Sequence, residues 1–193
     1  MTNARDAMVT LIRDYGLPGY KLAMLEVQKL AYFLQQSGED LNLEFLRHRY
    51  GPYAEKWNFL LQRIEGHYIS GYGDRSREAR MVVLPDAIEQ ADKFLGDHPD
   101  TAARLQRVTR LIEGFESPYG MELLATVHWV GSESGLPARD EDSAVEAGHA
   151  WSARKRRLFR PDHIRRAWRR LQEADWLEYD ESRRRERSES SSA

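Results

Sequence analysis

Cysteine is absent from the 193 residues, which excludes disulfide staples, thiol nucleophiles and thiolate metal sites and fits a reducing cytoplasm. Long hydrophobic runs are absent as well. No apolar stretch approaches the roughly 20 residues that span a bilayer, and the polar start MTNARDAMVTLIRD does not have the form of a signal peptide. The expectation is a cytoplasmic protein with no membrane partner. An excess of one charge is also missing: 29 Lys and Arg stand against 31 Asp and Glu, a formal charge of −2. Net charge therefore gives no reason to expect direct DNA binding. No two of the six histidines fall at His-x-x-x-His spacing, so neither a metal nor a cofactor is expected.

Catalytic patterns are missing too. The pentapeptide GSESG has the outline of a nucleophile elbow, but its central residue is Glu133 rather than serine. Gly71-Tyr72-Gly73 supplies two glycines of a phosphate loop without the third and without the Lys-Ser/Thr that follows it. No carboxylate pair is spaced so as to mark a general acid and base. The balance is that of a protein that binds, and the chain is expected not to be an enzyme.

What the chain does contain is helical periodicity. Met8, Leu11, Ile12 and Tyr15 share one helical face, closed by Gly16 and Pro18. Leu22 to Phe33 is apolar almost all round, the pattern of a helix at the centre of a bundle. A third helix is expected from Pro52, with Tyr53, Trp57, Leu60, Leu61 and Ile64 on one stripe. The period then shortens: HYISGYGDRSREARMVVL reads as a β-hairpin with a charged loop. Helices return after Pro85, after Pro99, from Ser117-Pro118 to Gly131, around Val145, and from Pro161, where Ile164, Ala167, Trp168 and Leu171 keep helical spacing. Residues 131–143 read as a polar loop. The expected fold is mainly α (α+β): a compact helical domain over residues 1–181, with a central buried helix and a small inserted hairpin. A disordered C-terminal tail, 182–193, follows, since RRRERSESSSA is low in complexity.

Charge is distributed in blocks. Between Glu113 and Ala150 eight acids face one base, Arg139; between Ala153 and Leu171 nine bases face one acid, Asp162.

Three stretches together carry a family signal. They are LEVQKLAYFLQQSGEDLNLEFLRHRYGPYAEKWNFLLQRIEGHYISGYGD, RLIEGFESPYGMELLATVHWV and WSARKRRLFRPDHI. Over roughly residues 20–170 the chain resembles the C-terminal domain of the DarG antitoxins of DarT–DarG toxin–antitoxin systems. QKLAYF followed by RYGPYA is also similar to the wider Panacea (SocA-like) antitoxin domain. The resemblance implies an antitoxin domain that binds and inhibits a DarT-like toxin, an NAD-using ADP-ribosyltransferase acting on thymidine in single-stranded DNA. It also implies an N-terminal macrodomain, a DNA ADP-ribosyl glycohydrolase, as a partner within the full-length protein. This chain is expected to begin at the C-terminal domain and to lack that macrodomain and its activity.

A domain that blocks such a toxin by DNA mimicry needs carboxylates where phosphates lie and flat side chains where bases stack. The candidates for toxin contact are Tyr50, Tyr53, Glu65, His67, Tyr68, Tyr72, Asp74, Glu116, Tyr119, Glu122 and Trp129. Each has a plainer reading. Tyr50-Gly51-Pro52-Tyr53 is equally a chain reversal and helix start packed on the Leu22–Phe33 helix, and Phe115–Trp129 is mostly core by its spacing. Arg154–Arg157 is a solvated face, or a grip on an acidic toxin patch or nucleic acid. The alternative function is a winged-helix-like DNA-binding regulator, with Pro161–Leu177 reading DNA through its arginines.

Overall fold

A helix that is apolar on every side needs neighbours on every side, and the chain supplies them. The computed structural model describes residues 2–15, 19–73, 79–132 and 137–177. Its elements are α1 (Thr2–Asp14), β1 (Leu22–Ala23), α2 (Met24–Gln36), β2 (Leu46–His48), β3 (Gly51–Tyr53), α3 (Glu55–Ile64), β4 (Ile69–Ser70) and β5 (Arg80–Val83). These are followed by α4 (Pro85–Asp97), α5 (Pro99–Ile112), α6 (Pro118–Ser132), α7 (Glu141–Ala150), α8 (Ala153–Leu158) and α9 (Pro161–Glu173). The fold is α-rich with small antiparallel sheets. Among the described residues no helix is long and apolar enough to cross a membrane.

Helix α2 is the expected central helix: every residue from Glu26 to Leu34 is buried. It begins two residues later than periodicity suggested because Leu22 and Ala23 pair with Met81 and Arg80 of β5. Glu26 then closes the helix start by accepting the Ala23 N–H at 2.8 Å. Against α2 lies α6, buried from Gly120 to His128. The two helices are pinned by the Tyr32 hydroxyl on His128 Nδ1 at 2.7 Å. Helix α1 packs on α4 and α5, while α9 packs on α6 and α7.

The expected hairpin is present as β4 and β5, antiparallel, and β1 adds a third strand in the order β1-β5-β4. Its loop, residues 74–78, lies outside the described residues, as does the expected tail at 182–193. Gly71 has φ +95, and a Cβ there would overlap the Arg80 carbonyl, so only glycine lets the strands approach this closely.

A second hairpin replaces the expected start of α3. Gly51–Tyr53 pairs antiparallel with Leu46–His48, and the helix begins only at Glu55. Gly51 takes φ +92, a left-handed conformation that reverses the chain instead of starting a helix. The basic stretch after Ser152 is a further short helix, α8, because the Ser152 hydroxyl caps Lys155 N–H at 3.2 Å. In the same way Asp140 caps α7 through Ser143 N–H at 2.7 Å.

Candidate functional site

A lysine on a helix that is otherwise buried apolar surface must find a polar partner, because a buried amine without one is costly. Lys29 of α2 is 1% exposed, and its ammonium donates to the Pro52 carbonyl at 2.6 Å. One residue earlier, the Gln28 amide accepts the Ala54 N–H at 3.3 Å and donates to the Ala54 carbonyl and Asn58 Oδ1, both at 3.2 Å. Asn58 in turn donates to the Tyr53 hydroxyl, which donates to Glu55 Oε2 at 2.7 Å. The strand after Gly51 is thereby held to α2 through backbone as well as side chains.

The other wall of this network comes from α6 and α8. Glu122 is buried, and its carboxylate accepts two bonds from the Arg154 guanidinium, at 2.5 and 3.0 Å, and one from Lys155 Nζ at 2.7 Å. Lys155, itself fully buried, donates also to Thr126 Oγ1 at 3.0 Å, and Thr126 donates back to the Glu122 carbonyl at 2.6 Å. A Cβ on Gly51 would come within 3.1 Å of that Thr126 hydroxyl. Gly51 is therefore where the β2–β3 turn meets the charged cluster.

Electrostatics follow from burial and from the count of charges. Burial pulls Lys29 down to about 7; the neighbouring Lys155 cation lowers it further and Glu122 opposes the shift. Burial likewise lowers Lys155 to about 8 against the pull of Glu122. Burial by itself would raise Glu122, but the Arg154 and Lys155 cations outweigh it and hold the carboxyl below its ordinary value. His128, buried beneath Tyr32, is lowered to about 4, so it is neutral at pH 7. Among the described residues no group of three His, Asp or Glu side chains is placed to hold a metal ion.

The residues singled out in the sequence divide on this frame. Tyr50 lies beneath Arg154, 4.6 Å from ring centroid to guanidinium, and Tyr53 and Glu122 belong to the network itself. Trp129 is half-buried between Tyr32 and Trp151. Glu65 accepts the Gly71 and Tyr72 N–H groups at 3.0 and 3.1 Å, bracing the β4–β5 hairpin. Tyr72, expected on the hairpin surface, is instead 1% exposed, because the segment after β4 turns its ring inward and its hydroxyl donates to the Asn58 carbonyl at 3.2 Å. His67 is exposed, and Tyr68 is half-buried with Arg5 over its ring. Glu116 is exposed and accepts the Gly114 N–H; the Tyr119 hydroxyl meets His163 Nδ1 at 2.7 Å. Asp74 lies outside the described residues. Lys29 is absent from those candidates, and of the Arg154–Arg157 run, read as a solvated face or a grip on a partner, Lys155 is instead fully buried and clamps Glu122 together with Arg154. For Lys29 the signal was available, a lone cation in an all-round apolar helix.

No protein-family model matches the chain. Its similarity to individual proteins is high. It is 46% identical over 155 residues, 80% of its length, to the DNA ADP-ribosyl glycohydrolase of Thermus aquaticus. The chain is a relative of DNA ADP-ribosyl glycohydrolases. It is also 37% identical over 150 residues, 74% of its length, to the proteins so named in Mycobacterium bovis and Mycobacterium tuberculosis. In each case the match spans 42% of the relative's own length. These relatives correct the expectation of a non-enzyme: the proteins that match 74–80% of the chain are named for an enzymatic activity.

Proposed function

We propose that this chain is a DarG-type antitoxin domain, spanning residues 1–181 and acting in the cytoplasm, that binds and inhibits a DarT-type DNA ADP-ribosyltransferase. The observation that carries the reading is the similarity over 80% of the chain to a protein named for removing ADP-ribose from DNA. The motif stretches add support. QKLAYF, YGPY, MELLATVHW and SARKRRL, scattered along the sequence, contribute Lys29, Pro52, Glu122 and Lys155 to one buried cluster.

The proposed mechanism is occupation of the toxin's single-stranded DNA groove. Such a groove holds phosphates by charge and bases by stacking. The exposed carboxylates Glu113 and Glu116 lie on the α5–α6 turn, and the half-buried Tyr119 follows in the first turn of α6. The exposed His67 offers a flat side chain just before β4. The name of the relatives favours a second reading, a share in the hydrolysis of DNA-linked ADP-ribose. One experiment separates the two. The chain is added to a DarT-type toxin with NAD and single-stranded DNA, and separately to DNA already modified and freed of toxin. Inhibition relieved by raising the DNA concentration supports mimicry. Release of ADP-ribose from the modified DNA supports the second reading. Unchanged modification at saturating chain refutes the antitoxin reading.

A further inference from the structure

The nine bases crowded into residues 153–171 are sorted by the fold into two groups. On α9, Arg165 and Arg169 pair with Asp142 and Glu141 of α7 at 2.8 Å each. Arg170 turns to Glu113 and to the Arg110 and Leu111 carbonyls, and Arg160 pairs with Asp162. Of the α9 arginines that would read DNA from a winged-helix-like end, Arg165, Arg169 and Arg170 are thus answered within the molecule, while Arg166 is exposed with no carboxylate paired to it among the described residues. On α8 the situation is reversed. Arg156 and Arg157 are exposed, and among the described residues no carboxylate pairs with either.

A second unanswered segment lies against the first. Arg47, His48 and Arg49 of the β2–β3 hairpin are exposed, and no described carboxylate pairs with either arginine. The hairpin is fastened to the α7–α8 junction: Trp151 Nε1 donates to the His48 carbonyl at 2.9 Å, and Arg47 donates to the Trp151 carbonyl at 2.8 Å while lying 4.7 Å over its ring. The Tyr50 ring receives Arg154 at 4.6 Å and Arg49 at 5.5 Å. Arg157 follows Arg154 by one helical turn, on the same side of α8. The result is a set of guanidinium groups packed over two rings, the buried Trp151 and the half-buried Tyr50. Glu122 is the carboxylate beneath it, buried and shared between Arg154 and Lys155.

Guanidinium forks match phosphate oxygens two by two, and exposed apolar side chains beside the cations suit unpaired bases. Leu46, 60% exposed on the hairpin, and Leu158, 36% exposed on α8, extend the surface in that sense. An interface with an acidic protein needs a central apolar anchor, whereas the ring here is already covered by arginines. We infer that the β2–β3 hairpin and α8 form a binding surface for the backbone of single-stranded DNA. This goes beyond the inhibitory reading and is independent of it, because no toxin takes part.

The test is fluorescence anisotropy of the full chain with a labelled single-stranded thymidine-rich oligonucleotide, beside the matching duplex. If Arg47, Arg49 and Arg157 each neutralise one phosphate, affinity falls about 20-fold between roughly 50 and 200 mM salt. Arg49→Gln with Arg157→Gln removes two of these contacts and weakens binding at low salt by about tenfold or more, with a shallower salt slope. Arg165→Gln with Arg169→Gln changes the net charge equally and leaves binding within about twofold, since paired arginines are not phosphate ligands. The inference is overturned by no binding at low salt, by binding indifferent to salt, by equal effects of the two double variants, or by duplex bound as tightly as single strand.

Discussion

Glutamine in place of Glu122 keeps the shape of the side chain and removes its charge. In the native domain that carboxylate answers three donors, two on Arg154 and one on Lys155, from a position 2% exposed to solvent. Glu122→Gln turns an amide toward the arginine fork and leaves the fully buried Lys155 with Thr126 and one amide oxygen. Removing one partner of a buried ion pair costs about 3–5 kcal/mol, because the remaining charge stays desolvated and unanswered. For a domain of this size each kcal/mol lowers the thermal midpoint by about 2–4 °C. The expected fall is therefore about 6–20 °C, with a urea midpoint lower by more than about 1 M. The paired variant sharpens the test. Lys155→Met removes the stranded cation, so Glu122→Gln with Lys155→Met should cost less than the two single changes together, by about 1–3 kcal/mol. A loss below about 1 kcal/mol for Glu122→Gln, or strict additivity in the cycle, refutes the view that this cluster is a coupled buried ion network.

Two further outcomes are expected. Lys29 titrates at about 7 when folded against 10.5 when free, so the unfolded chain binds more protons between those values and Lys29 makes stability rise with pH across them; His128, at about 4 against 6.5, does the same over that lower window. Urea midpoints from pH 4 to 10 check this: Lys29→Met should make the rise in the upper window shallower, leaving the share that Lys155 contributes above about 8, and His128→Gln should flatten the lower window; an unchanged profile in both would contradict the assignments. Gly51→Ala forces a side chain into the left-handed region beside Thr126 and should cost about 1–3 kcal/mol in denaturant unfolding; a neutral result would show that the β2–β3 turn relaxes without cost.

The enclosed position of α2 was legible because a helix apolar on all faces has one stable environment, and Glu26–Leu34 are accordingly all buried. Helix starts marked by proline at 85, 99 and 161 were legible for an equally local reason, the fixed φ and missing donor of that residue. The β4–β5 hairpin showed in the change of period. The Gly51–Tyr53 strand did not, since Pro52 followed by an apolar stripe reads as a helix start until the partner strand, Leu46–His48, is in place. Nor did the orientation of Tyr72, because it follows a two-residue strand that carries too little pattern to say which side the chain beyond it faces. The charges divide along the same line. Sequence alone determined that residues 153–171 are strongly basic and that Lys29 sits in an apolar helix. Only the tertiary structure decided which arginines are neutralised and which are not, because Glu141 and Asp142 lie more than twenty residues before their partners on α9, and Glu122 more than thirty before Lys155. Ion pairing depends on separation in space over a few ångströms, and chain separation carries no information about it until the helices are packed.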